Sequence, residues 1–134
     1  MRTIKFRAWD KKAKCMISVG KISFPANKVF AYTDDQDWGL LEDVKISELM
    51  QFTGLKDRNG VEIYEGDIVS IKSQYETDQP IDTKAKVEFS DGSFRIDFYA
   101  MILNWAVLEY TKSNWLIEVI GNIYESKNLL EVKR

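Results

Sequence analysis

Histidine is absent from this 134-residue chain, cysteine occurs once and proline twice. Without histidine the usual general base near neutral pH is missing, and with it the Ser/His and Cys/His nucleophile pairs. The single Cys15 cannot form an internal disulfide, and no Cys/His ligand set exists, so a reducing cytoplasm is the expected compartment. No run of about 18 apolar residues occurs, and the basic start, MRTIKFRAWDKKAK, has no apolar stretch of the kind that directs secretion. Neither membrane spanning nor export is expected. A Gly-rich phosphate loop, a dinucleotide fingerprint and zinc-ligand spacing are also missing, so no cofactor or metal is expected.

What is present describes a globular chain. Hydrophobic residues make up 45%, charged residues 30% and aromatic residues 13%. A chain of this length fits one domain, or one with a small addition, and buries about two thirds of its unfolded surface. Its formal charge of −2 conceals an asymmetry. Residues 1–30 carry eight Lys and Arg against Asp10 alone, a balance of +7, while the other 104 carry eleven basic against twenty acidic residues, or −9. Lys5, Arg7, Trp9, Lys11 and Lys12 are therefore the candidate interaction surface. A basic arm for nucleic acid is the sharp reading. Solvated strand faces neutralised by the acidic body or a neighbouring subunit are the plainer one, favoured by the pI of 5.3.

Alternation dominates the pattern. TIKFRAW sets Ile4, Phe6 and Ala8 on one face and Lys5, Arg7 and Trp9 on the other; DKKAK is a polar turn, and CMISVGKISF returns as a strand ending before Pro25. Strand burial is the expected fate of Cys15. Residues 27–43 read as loop with room for a short strand at Val29–Tyr32, and VKISELMQFTG suits helix or strand. In AKVEFSDGSFRIDF, a two-residue Asp91-Gly92 turn opposes Phe89 to Phe94, Glu88 to Arg95, Val87 to Ile96 and Lys86 to Asp97. In LKDRNGVEIYE, a two-residue turn would set Asp57 against Glu62. A three-residue loop at 58–60, with Gly60 left-handed, opposes Lys56 to Glu62 instead. GDIVSIK follows as a strand and SQYETDQPIDT as a polar loop. YAMILNWAVL leaves helix and strand open, NWLIEVIGNIYE is a strand broken at Gly121-Asn122, and SKNLLEVKR makes one helical turn.

Few residues suggest chemistry. Asp34, Asp35 and Asp37 hint at calcium, but Gly39 and Ile46 fall where an EF-hand needs ligands, so a solvated loop is the better reading. Asp82-Thr83-Lys84 and Glu131-Val132-Lys133 resemble the acid-x-Lys step of metal-dependent nucleases, without a preceding second acid. Enzymatic activity is not expected.

Three segments, IKFRAWD, MQFTGLKDRNGVEIYEGDIV and EVIGNIYE, together resemble the YopX family of phages and prophages of Gram-positive bacteria. The matching positions are Phe6, Arg7, Trp9 and Asp10; Thr53, Gly54, Leu55, Asp57, Gly60, Ile63, Tyr64, Glu65, Gly66 and Asp67; and Gly121, Asn122, Ile123, Tyr124 and Glu125. The resemblance implies a small, mainly β protein with a short-stranded barrel in its C-terminal part, made in the cytoplasm of a bacterial host, and carries over no activity. Thr53, Gly54, Asp57, Gly60, Tyr64, Glu65, Gly66, Asp67, Gly121, Asn122 and Tyr124 read as structural: glycines for turns and bends, tyrosines with buried rings, and Glu65 or Asp67 as partner to a tyrosine hydroxyl.

The expectation is a mainly β fold: a basic hairpin region with an irregular acidic linker over 1–45, and an open SH3-like β-barrel with a C-terminal tail over 46–134. Its expected function is non-enzymatic, by contact with a host or phage protein or by homo-oligomerisation, with nucleic-acid binding through the basic N-terminal region as the alternative and a metal-dependent enzyme as a distant third.

Overall fold

A computed structural model describes residues 2–32, 38–73, 82–98, 101–104 and 115–130. The acidic cluster at 34–37, most of the polar loop at 74–81, the segment 105–114 and the Glu131-Val132-Lys133 triplet lie outside them. The chain forms two compact units, Met1–Phe52 and Thr53–Arg134. Eleven strands are described: β1 (Phe6–Asp10), β2 (Cys15–Ser23), β3 (Lys28–Tyr32), β4 (Trp38–Leu40), β5 (Met50–Lys56), β6 (Glu62–Tyr64), β7 (Asp67–Ser73), β8 (Asp82–Ser90), β9 (Ser93–Phe98), β10 (Met101–Asn104) and β11 (Trp115–Asn122). Short 3-10 turns occupy Ile46–Glu48 and Lys127–Leu130. The fold is mainly β, as composition and alternation imply, and its strands pair antiparallel in open sheets.

In the first unit the strand order is β4-β3-β2-β1-β5. The turn between β1 and β2 is built by Asp10, whose Oδ1 accepts from the backbone N–H groups of Lys12 (2.9 Å) and Ala13 (3.2 Å). Asp10 pairs with Cys15 and Ala8 with Ile17, and Ala8 is fully buried with Val29 and Val44, against which Val19, Leu41, Ile46 and Leu49 pack. The β2–β3 pairing shifts register between Val19 and Lys21, so Gly20 is the extra residue of a bulge. That single insertion restores the alternation: Val19 opposes Ala31 on the core side, while Lys21 opposes Phe30 on the other. Two expectations fail here. Ile4 precedes β1 and stays 59% exposed, and Cys15 is exposed because it sits at the turn end of its strand. In the stretch read as loop, the short strand allowed at Val29–Tyr32 is present as β3, and β4 joins it, pairing Leu40 with Phe30.

The first residues of β5 pair with β1, and Phe52, with its N–H on the Lys5 carbonyl, closes the first unit; the later residues of β5 lie beside β6. In the second unit an open five-stranded sheet has the order β10-β9-β8-β7-β11. Its core is Ile63, Val69, Ile71, Ala85, Val87 and Ile96, with Trp115, Ile117 and Val119 packed against it. Fully burying each of its isoleucines and valines contributes about 1.5–3 kcal/mol. The β8–β9 hairpin adopts the expected register, Val87 to Ile96, Glu88 to Arg95 and Phe89 to Phe94, around Asp91-Gly92 with both turn residues at positive φ. Phe89 and Phe94 meet edge to face with centroids 5.1 Å apart, yet Phe89 remains 51% exposed because it lies at the hairpin tip, beyond the last core layer. YAMILNWAVL resolves toward strand where it is described, at Met101–Asn104, which pairs with β9.

Candidate interaction surface

The residues singled out by sequence fall into two groups. The first comprises the turn-forming polar residues of the second unit. Asp57 follows β5 and is buried; its Oδ1 accepts from the N–H groups of Asn59 (2.8 Å) and Val61 (2.9 Å), while Gly60 takes the left-handed conformation at φ 81°. These bonds, with Asp57 N–H to the Val61 carbonyl at 2.8 Å, close the three-residue loop at 58–60 that avoids opposing Asp57 to Glu62. The second carboxylate oxygen does something that sequence spacing does not reveal. Asp57 Oδ2 accepts from the N–H of Val119 at 2.9 Å, and the Arg58 N–H donates to the Ile117 carbonyl at 3.1 Å. Val119 and Ile117 belong to β11, an edge strand of its sheet. The 57–58 loop therefore occupies hydrogen-bonding groups that an edge strand would otherwise offer to another chain.

Asp67 and Asn122 work in the same way. Asp67 is 2% exposed, and its Oδ2 accepts from the Tyr64 N–H at 2.8 Å. This oxygen meets the Tyr64 backbone because Gly66, at φ 80°, folds the 64–67 turn back on itself. Asn122 Oδ1 accepts from the N–H groups of Tyr124 and Glu125 (3.0 Å each), and its Nδ2 donates to Glu125 Oε2 (3.0 Å). Thr53 Oγ1 donates to the Ile63 carbonyl at 2.7 Å, with Gly54 at φ 89° beside it. At Gly121, where β11 shifts register against β7, a Cβ would collide with the Ser126 side chain and come within 3.1 Å of Leu129. Tyr64, Glu65 and Tyr124 sit in the same turns and are half-buried, whereas Glu125 is exposed.

The second group is the basic set. Lys5 Nζ stands 5.3 Å from the Phe52 ring centroid, and Arg7 Nη2 lies 3.8 Å from Met50 Sδ. Trp9 is half-buried opposite Met16. Lys11 and Lys12 belong to the turn and reach acids of the same unit: Lys11 meets Glu48 at 2.9 Å, and Lys12 lies 3.6 Å from Asp43 and 3.8 Å from Glu42. The hydrogen bond from Lys11 holds the Glu48 carboxyl below its usual range, helped by the backbone and charge of Lys45 and opposed by burial. Glu48 Oε1 also accepts from the Lys45 N–H at 3.1 Å, which fixes the 3-10 turn. Asp10, Lys12 and residues Leu40 to Val44 line a cleft of about 280 Å³. The structure therefore separates Arg7 and Trp9, on β1, and Lys5, just before it, from Lys11 and Lys12, in the turn. It adds three residues of the β2–β3 hairpin that the sequence reading passed over: Lys21, whose Nζ lies 5.2 Å from the Phe30 ring centroid, Lys28, and Phe24, which is 68% exposed. Their signal in the sequence is the lack of any acid between Asp10 and Asp34.

Among the described residues no three His, Cys, Asp or Glu side chains group as metal ligands, and no helix is long and apolar enough to cross a membrane. The arrangement defines a small, antiparallel, open-sheet β protein whose turns are locked by buried carboxylate and amide side chains. The sequence profile described as YopX protein matches residues 5–131, and the chain belongs to the YopX family. It is similar to the crystal structure of protein EF1440 from Enterococcus faecalis, with 27% identity and a TM-score of 0.66 over 98% of this chain and 100% of that one. A search of the curated proteins gives no match.

Proposed function

We propose that the chain is a non-enzymatic accessory protein of a phage or prophage, working in the cytoplasm of a bacterial host by contact with protein, a second copy of itself included. The observation that carries this reading is the partition of charge, +7 in residues 1–30 against −9 in the remainder. Two copies arranged basic region to acidic region gain attraction at the same contact twice, as a two-fold interface requires. The chemistry of the polar motif residues supports it. Asp57, Asp67 and Asn122 direct their side-chain oxygens at backbone N–H groups, which is the work of a scaffold. The test is molar mass in solution by light scattering over a salt series. Multimers at low salt that dissociate as salt rises are the expected result; a monomer at high protein concentration and low salt contradicts the reading.

A further inference from the structure

We propose that the β2–β3 hairpin is a contact site for single-stranded nucleic acid. Between Asp10 and Asp34 the chain has no acidic residue and five lysines: Lys11, Lys12, Lys14, Lys21 and Lys28. The structure divides them. Lys11 and Lys12 lie against Glu48, Glu42 and Asp43, whereas Lys21 and Lys28 stand exposed on neighbouring strands. The bulge at Gly20 decides their placement: it pairs Lys21 with Phe30 and Ser23 with Lys28, so both lysines project from the face opposite the Ala8–Val29 core. The two cross-strand pairs are two residues apart, or about 7 Å along the strands. Phe24, in the turn that joins the strands, is 68% exposed, more than any other large hydrophobic side chain described.

Phe24 directly follows Ser23, the cross-strand partner of Lys28, and an exposed phenylalanine one residue from a lysine pair selects among anions. A carboxylate surface is satisfied by the lysines alone and gains nothing from an aromatic ring in water. A nucleotide offers a phosphate to the ammonium and a base face to the ring, and stacking of this kind tolerates any base. The base must be unstacked to use the ring, which excludes a duplex. The net charge of −2 supplies no long-range attraction for polyanions, so affinity is modest and resides in this local patch. Glu42, with Asn27, Lys28, Leu40, Leu41 and Val44, lines a cleft of about 250 Å³ beside the turn end of the hairpin.

The test uses the full chain and a labelled oligodeoxythymidine of about 15 nucleotides, a length within the site sizes of small β folds, with anisotropy read across a salt series. Wild type binds at low salt, Phe24→Ala weakens binding about tenfold, and the Lys21→Gln/Lys28→Gln pair flattens the log–log salt dependence by about 1.4, at about 0.7 per phosphate contact. Lys84→Gln/Lys86→Gln in β8 changes nothing. All substituted side chains are exposed or half-exposed and outside both cores, and unfolding midpoints check that each variant folds. No binding at low salt overturns the proposal. So does binding that the Phe24 and Lys21/Lys28 variants leave intact, or a poly-glutamate of equal charge that competes as well as the oligonucleotide, which would make the patch a docking face for acidic protein.

Discussion

At the scale of single residues, the buried polar side chains of the second unit hold the backbone in place. Asp57 is the most consequential, since one carboxylate serves three N–H groups on two segments 62 residues apart. Replacing it with alanine leaves three donors unmatched, and the expected loss is about 2–4 kcal/mol by urea denaturation. Asp57→Asn keeps one acceptor and turns an amide N–H toward another donor, so it falls between wild type and alanine. Gly121→Ala pushes a methyl group into Ser126 and Leu129, at a cost of about 1–3 kcal/mol by the same measurement. Glu48 provides a pH test. Its folded pKa is lowered below the ordinary carboxylate value, chiefly by Lys11. It therefore contributes stability that is present above that ordinary value and is lost as pH falls through the lowered one. Lys11→Met removes the main cause. It should cost about 0.2–1 kcal/mol at neutral pH, as half-exposed pairs do, and its deficit against wild type should vanish in acid.

At the scale of elements, the legible parts were those where local pattern and turn chemistry agree. The Asp91-Gly92 hairpin is readable because every one-residue slip would move Val87 and Ile96 off the core face, and both residues are fully or almost fully buried in the structure. Ile96→Ala accordingly costs about 2–5 kcal/mol. The loop at 58–60 was legible because only one loop length keeps Asp57 away from Glu62. The same reasoning missed that Asp57 reaches Val119, because a contact over such a separation leaves no periodic trace in the sequence. Ile4 and Cys15 were misplaced for the opposite reason: alternation continues past the ends of a strand, while burial stops where pairing does. The Gly20 bulge also escaped notice, and with it the fact that Lys21 and Phe30 share a face, since a bulge breaks the period by which faces are read. The acidic residues near 34–37 and the loop at 74–81 lie outside the described residues.

At the scale of the whole molecule, charge is the property that distinguishes this chain from an ordinary β domain of its size. A basic stretch of thirty residues on an otherwise acidic protein is neutralised in part at home, by Glu48, Glu42 and Asp43. Membership in the YopX family and the likeness to protein EF1440 from Enterococcus faecalis establish the family and fold, and the charge partition is the basis for the proposed interaction. The most direct test is light scattering of wild type beside a variant with Lys5, Lys12, Lys14, Lys21 and Lys28 changed to Gln, each at low and high salt. The account predicts multimers of wild type at low salt only, with the variant monomeric throughout and its unfolding midpoint close to wild type. Equal masses for the two proteins at low salt would contradict it.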